Sequence, residues 1–457
     1  MGGSPLRLLR LRPRGAAQVR AWWDGAPVPH QPAAQALARR LLETGMAHPD
    51  PCGGPSAQEV TVVIPVLDRP AELARCLASL DGLRVIVVDD GSADPGATAA
   101  AATAAGARCL RRDVCGGPGA ARNTGLAAAG TPFVAFLDSD CVPRPGWLGR
   151  LLPHFADPAV AAVAPRIVAH EQGPGWLARY EEARSPLDMG TAESIVRPGS
   201  PVPYVPGAAL VVRRDAAAGG FAQEMPVGED VDFVWRLAAA GWQVRYEPAA
   251  AVGHQHRVRF GDWLRRRRDY GTSAAPLELR HPGAVPAVTM SGWSVLAWLA
   301  VAAGSPETGA AIMGGTTALL ARRLAPFTDE AWPLAGRLAG GGTLAAGRLL
   351  GSVLARTWWP VAVPVAVAVP RLRLPLAALA IAAPVLDWRE QRPPMGLAGY
   401  LATRLLDDAA YSVGVWQGCL AHRTSRPLRP VLWWWSRATE PGGPRPGEHR
   451  PGEHRPG

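Results

Sequence analysis

A chain of 457 residues is long enough for two or three domains with sizeable cores. Its formal charge of +10 is carried by arginine, because the sequence contains no lysine, and these arginines lie among apolar stretches, which suits an anionic lipid surface at least as well as nucleic acid. The six cysteines form neither a C-x-x-C pair nor a regular framework, so no disulfide scaffold is expected and the setting is read as reduced and cytoplasmic.

Residues 1–55 read as a small separate module. Pro5–Leu11 alternates well enough for a strand or a helix end, Ala33–Leu42 carries Leu37, Leu41 and Leu42 as the stripe of a short helix, and Pro49–Pro55 is a linker. The N-terminus lacks the apolar run of a signal peptide, so the catalytic part is expected to stay in the cytosol, at the inner face of the membrane.

Between residues 58 and 260 the rhythm becomes strand, helix, strand. Val60–Pro65 is a β-branched run suited to a strand buried on both faces, Arg69–Leu80 a helix laid on the sheet, and Val85–Val88 a second strand running into Asp89-Asp90-Gly91-Ser92. Ala97–Ala105 reads as the next helix, Arg108–Leu110 as a short strand, and Pro118–Ala129 as a helix leading to the apolar strand from Phe133. Such alternation gives right-handed βαβ units and a mostly parallel sheet, an α/β fold.

The strand from Phe133 runs directly into Asp138-Ser139-Asp140. Carboxylates at i and i+2 of an extended segment point the same way, at the strand end where open α/β sheets bind ligands. Two like charges so placed are relieved by a cation, and oxygen ligands favour Mg²⁺ or Mn²⁺ shared with the phosphates of a nucleotide. A plain turn is the competing reading of this pair. Downstream, Glu229-Asp230 opens a helical pattern, where acidic residues also suit the helix dipole. Val252–His256 then brings two histidines at i, i+2 after the strand Trp242–Tyr246, in reach of a metal or a diphosphate.

Six segments in order carry a resemblance: Ile64–Arg69, Val87–Ser92, Gly119–Gly125, Leu137–Asp140, Gly207–Ala209, and Gly228–Arg236 followed by Gly241. Together they resemble the inverting glycosyltransferases of family 2, whose nucleotide-sugar-binding domain has the GT-A fold. The opening Gly2–Leu11, Leu41–Pro49 and Arg268–Pro276 are similar to the glycosyltransferases of the mycofactocin pathway, which glucosylate a redox cofactor derived from a ribosomal peptide. The N-terminal piece is similar to a truncated PqqD-like winged helix whose first strands are missing. The Gln-x-x-Arg-Trp signature of processive members is absent, although Arg265–Gly271 occupies the region of an acceptor-side helix.

The resemblance implies a nucleotide-sugar donor, UDP-glucose, a peptide-derived small-molecule acceptor and no nucleic-acid partner. It places Pro65, Asp68, Asp90, Arg122, Asn123 and Asp138 at the nucleotide and Asp140 with His254 at a Mg²⁺ or Mn²⁺ ion. It makes Asp230 the general base, with Glu229 beside it and Arg236 holding the pair. A transferase for lipid-linked or cell-wall sugars and an inactive GT-A scaffold are the alternatives.

Residues 261–435 form an apolar helical region. Pro282–Pro306 is free of formal charge over a length that could span a bilayer, and shorter uncharged runs follow at Thr308–Ala321, Thr357–Pro370 and Leu374–Leu386. Membrane-embedded or interfacial helices and buried helices of a soluble domain compete for these runs. The repetitive tail, 436–457, is expected to be disordered.

Overall fold

The computed structural model describes residues 2–3, 8–170, 173, 175–256 and 258–434, so the tail and residues 5–7 of the Pro5–Leu11 segment lie outside the described residues, while Leu8–Leu11 is neither strand nor helix. Two compact units emerge: Met1–Ala287 with Arg348–Arg429, and Val288–Gly347 with Pro430–Gly457.

In the first unit a nine-stranded sheet forms from β1 (Val60–Val66), β2 (Arg84–Asp89), β3 (Arg108–Arg111), β4 (Phe133–Leu137), β5 (Cys141–Pro143), β6 (Val160–Ala169), β7 (Ser194–Ile195), β8 (Ala209–Arg213) and β9 (Gln243–His254). The order is β3-β2-β1-β4-β8-β6-β9-β5, with β7 paired to β9. Strands β3, β2, β1 and β4 are mutually parallel, as the βαβ rhythm requires. All seven residues of β1 and all five of β4 are buried, the pattern of strands covered on both faces. Strand β8 enters antiparallel between β4 and β6, so its start lies at the edge where β1, β2 and β4 end. Parallel pairing resumes between β6 and β9.

The N-terminal piece consists of two helices, Pro13–Trp23 and Pro32–Glu43, each opened by a proline at its first position. The first of these was not anticipated: it buries no residue, and no apolar stripe marks it in the sequence. Arg39 of the second pairs with Asp157 through two hydrogen bonds of 2.9 and 3.1 Å.

Helix Phe260–Thr272 lies against the long helix Leu397–Ala421 at a crossing made of glycines. A Cβ on Gly414 would overlap the carbonyl of Arg268, and one on Gly271 the carbonyl of Tyr411. Beside the crossing runs a buried polar cluster. Arg267 pairs with Glu181 and, at 3.0 Å, with Asp407; Asp407 accepts from the Tyr180 hydroxyl at 2.8 Å, and Glu181 from the Trp263 indole at 2.7 Å. Because backbone rather than a flexible side chain blocks the space, Gly414→Ala is expected to destabilise this unit by about 3 kcal/mol, within the upper range for overpacking. Chemical denaturation checks it; an unchanged midpoint would refute the close crossing.

The second unit contains a parallel pair, β10 (Val288–Ser291) and β11 (Pro430–Trp433), and helices Gly292–Ala302 and Pro306–Leu324. The uncharged run Pro282–Pro306 is therefore not one spanning helix. It contributes β10 and an 11-residue helix that stops before Gly304, whose φ of +87° ends the helical path. Among the described residues the helical stretch Ala331–Arg356 alone has the length and apolarity to cross a membrane.

Candidate active site

Because β1, β2 and β4 are parallel, the residues that follow them collect along one edge. The backbone stitches that edge together: Asp90 N–H donates to Val66 O at 2.9 Å and Asp138 N–H to Ala208 O at 2.9 Å. Strand β9 returns there as well, its His254 in register with Cys141, the residue after Asp140. Helix Glu229–Ala239 begins beside them after Gly228, whose φ of +85° turns the chain into the helix.

Arg122, 3% exposed, lies at the centre of the carboxylates. Its guanidinium donates to Asp138 Oδ1 at 2.7 Å and to Glu229 Oε1 at 2.8 Å. Burial alone would lower the guanidinium pKa, but the nearby charges of Asp138, Glu229 and Asp230 outweigh it and hold the cation. Glu229 is pushed up to about 6 by burial and then by the charge of Asp230, against the pull of Arg122. Arg122 thus shares its charge among Asp138, Glu229 and Asp230, and Arg266 adds a second cation near Asp138 and Glu229.

Asp230 is held by two backbone donors: Gly207 N–H to Oδ2 at 2.7 Å and Val231 N–H to Oδ1 at 2.8 Å. A Cβ on Gly207 would come within 3.0 Å of the Asp230 Cβ, so glycine is what permits this approach. Asp140 pairs with Arg69 and lies 3.5 Å from His254 Nε2. His254 Nδ1 is buried without a hydrogen-bond partner. His256 is lowered to about 4, first by burial and then by His254 and Arg267, so it is neutral at physiological pH.

Two adjoining cavities that share part of their lining open along the edge. One, of about 350 Å³, is lined by Pro65, Arg69, Asp90, Asp138, Asp140 and His254. The other, of about 370 Å³, has Asp230 and Glu229 at one side and a wall of Tyr204, Trp235, Tyr411 and Arg356. Asp138, Arg266 and Tyr270 border both.

The expected residues divide accordingly. Pro65, Asp90, Asp138, Asp140, His254, Glu229, Asp230 and Arg122 come together. Asp90 is occupied by the loop before helix Gly117–Ala128: it accepts from Gly117 N–H at 2.7 Å and Gly116 N–H at 3.2 Å and pairs with Arg112. Asp68, at φ +55°, accepts from Ala93 N–H at 2.7 Å and donates its own N–H to Ser92 Oγ at 2.9 Å, tying β1 to β2. Two expectations are corrected. Asn123 faces away from the edge, its amide satisfied by the Phe221 backbone at 2.7 and 2.9 Å. Arg236 holds neither Glu229 nor Asp230; it pairs with Asp232 at 2.8 Å, one helical turn back.

Sequence reasoning missed Arg69, Tyr204, Arg356 and Tyr411. Arg69 stands one residue beyond Asp68 and could have been found by asking which cation faces Asp140. Arg356 and Tyr411 come from helices far along the chain; Arg356 lies 3.8 Å above the Tyr411 ring and 3.1 Å from Asp408. No local signal links them to the acidic edge.

A mixed α/β sheet with carboxylates clustered beside two cavities accommodates a glycosyltransferase, and residues 61–220 match the profile of glycosyl transferase family 2. The chain is 43% identical over 452 residues, 94% of each partner, to the pre-mycofactocin glycosyltransferase of Mycobacterium tuberculosis, and it belongs to that family of glycosyltransferases. It is also 28% identical over 221 residues to the glycosyltransferase AglE of Haloferax volcanii, covering 45% of this chain and 70% of that one. Among solved structures it is similar to a mannosyltransferase from Pyrobaculum calidifontis in complex with GDP-Man and Mn²⁺, with a TM-score of 0.45, 18% identity, and 87% and 97% of the two chains covered.

Proposed function

We propose that the enzyme transfers glucose from UDP-glucose to a hydroxyl of a peptide-derived acceptor of the mycofactocin type, with inversion to a β-linkage. The observation that carries the mechanism is the position of Asp230, fixed by two backbone donors at the side of an apolar, aromatic-walled cavity that adjoins the acidic one. The identity to the Mycobacterium tuberculosis relative over nearly the whole chain supports the acceptor class.

The nucleotide lies along Pro65, Asp90 and Asp138, and the acceptor against Tyr204, Trp235 and Tyr411. Asp230 takes the proton of the acceptor hydroxyl as its oxygen bonds to the anomeric carbon; the bond to the diphosphate breaks on the opposite face, and the nucleotide leaves with the electron pair. Asp230 acts through placement, since its proton affinity matters only as charge develops on the attacking oxygen.

Asp140 and His254 suit a divalent ion shared with the donor: a carboxylate oxygen and His254 Nε2 stand 3.5 Å apart in the lining of the acidic cavity. Among the described residues no group of three or more such ligands exists, so the remaining positions would fall to diphosphate oxygens and water. Bound there, Mg²⁺ or Mn²⁺ stabilises the charge on the leaving diphosphate. Arg69 already pairs with Asp140 and lines the same cavity, so its cation is at hand for the diphosphate.

The test is nucleoside diphosphate release from a panel of nucleotide sugars with each metal, with and without a mycofactocin-type acceptor. Turnover of UDP-glucose that requires the metal and disappears in Asp140→Ala is expected, with β-linked product. Preference for another donor, or turnover only with a lipid-linked acceptor, would overturn the assignment.

A further inference from the structure

Within the first unit, residues 357–386 carry two charges, Arg371 and Arg373, and no acid. They fold as helix Trp359–Ala368, a single turn at Pro370–Leu372 and the first part of helix Arg373–Gln391. Helix Trp359–Ala368 buries none of its residues and is apolar on every side; Val361, Val363 and Val367 are all exposed, Val367 at 66%. Across the turn Leu374 is 82% exposed, and Ile381 and Leu386 are exposed as well. Burial begins only at Ala383 and Pro384, near Asp387, which pairs with Arg348. The limb is fixed to the unit at Gly351, where a Cβ would overlap the Leu379 carbonyl.

A protein partner covers one face of a helix, whereas this helix presents apolar residues all round. A helix apolar on every side calls for immersion in an apolar medium rather than for a groove or a half-covered seat. The two cations select among such media. Arg373 donates to the carbonyls of Ala366 and Val367 at 3.0 and 3.1 Å, closing the end of the first helix, and Arg371 is exposed beside it. Tip-first insertion of limbs about 15 Å long would carry both arginines to the centre of the hydrocarbon, which is costly. Lying flat just beneath the headgroups immerses both limbs on every side while the arginine side chains reach up to the phosphates.

We infer that this apolar hairpin, residues 359–386, lies in the plane of an anionic lipid surface, its valines and leucines in the acyl boundary and Arg371 and Arg373 at the headgroups. It holds the transferase on a membrane without spanning it.

Flotation of the full chain with vesicles of phosphatidylcholine alone, and of phosphatidylcholine mixed with phosphatidylglycerol, tests this. The wild type is expected to float with the mixed vesicles. Val363→Glu combined with Ile381→Glu lowers binding at least about tenfold, and Arg371→Gln lowers it about fivefold on mixed vesicles only. Thermal unfolding controls for folding, and Arg371→Gln, a surface change, keeps the test valid if the double variant is unstable. Failure of the wild type to float with either vesicle overturns the inference, as does equal binding by the variants. So does a dimer that the double substitution dissociates without any lipid binding, which would make a second copy the cover.

Discussion

Replacing Asp230 by asparagine is expected to lower sugar transfer about 10²–10⁴-fold, the range for loss of a positioned general base, with little change in donor binding. Asparagine keeps the size of the side chain and an oxygen able to accept from Gly207 or Val231, so the start of helix Glu229–Ala239 stays in place. What is lost is the charge proposed to receive the acceptor proton. Transfer rates at saturating donor, donor KM and thermal unfolding separate the two effects. A loss below tenfold at unchanged KM would remove Asp230 from the proton transfer. A raised KM with intact kcat would place it in binding instead.

The largest stability effect is expected at Arg122. Its guanidinium is buried between Asp138 and Glu229, with Asp230 close enough to raise its pKa. Arg122→Met removes the only cation bonded to Glu229 among the described residues and leaves the buried Glu229 facing the half-buried Asp138 and Asp230. The expected cost is about 3–5 kcal/mol, the range for breaking a buried pair rather than replacing it whole. Changing Glu229 to glutamine in the same molecule removes one stranded charge and recovers part of that loss. Denaturant midpoints of the wild type, the two single variants and the double variant form the cycle. Additive effects would mean that Arg122 and Glu229 do not depend on each other.

The strands and the acidic edge were legible because their signals are local. The β-branched run at Val60 and the apolar run at Phe133 each fix a buried strand, and parallel alternation then forces Asp90, Asp138 and Asp140 to one edge. The i, i+4 spacing of Asp232 and Arg236 was also available and predicts their pairing better than a bond from Arg236 to Glu229. Contacts decided by the tertiary fold were not legible. Arg69 reaches Asp140 across 71 positions and Arg122 reaches Glu229 across 107, distances over which no periodicity operates. The uncharged run from Pro282 has the composition of a span, yet composition does not reveal that its first part pairs as a strand with residues near 431.

The glycine crossing of helices Phe260–Thr272 and Leu397–Ala421 bears on when the enzyme becomes competent. Every strand of the catalytic sheet has been synthesised by residue 254, and its pairings can form early. The proposed acceptor wall cannot, because Arg356 and Tyr411 arrive only after about a hundred and more further residues have been added. Contacts so distant in sequence form late in folding. A nascent chain stalled before residue 400 would carry the acidic edge with one side of its second cavity open to water, so bound donor would meet solvent where an acceptor belongs.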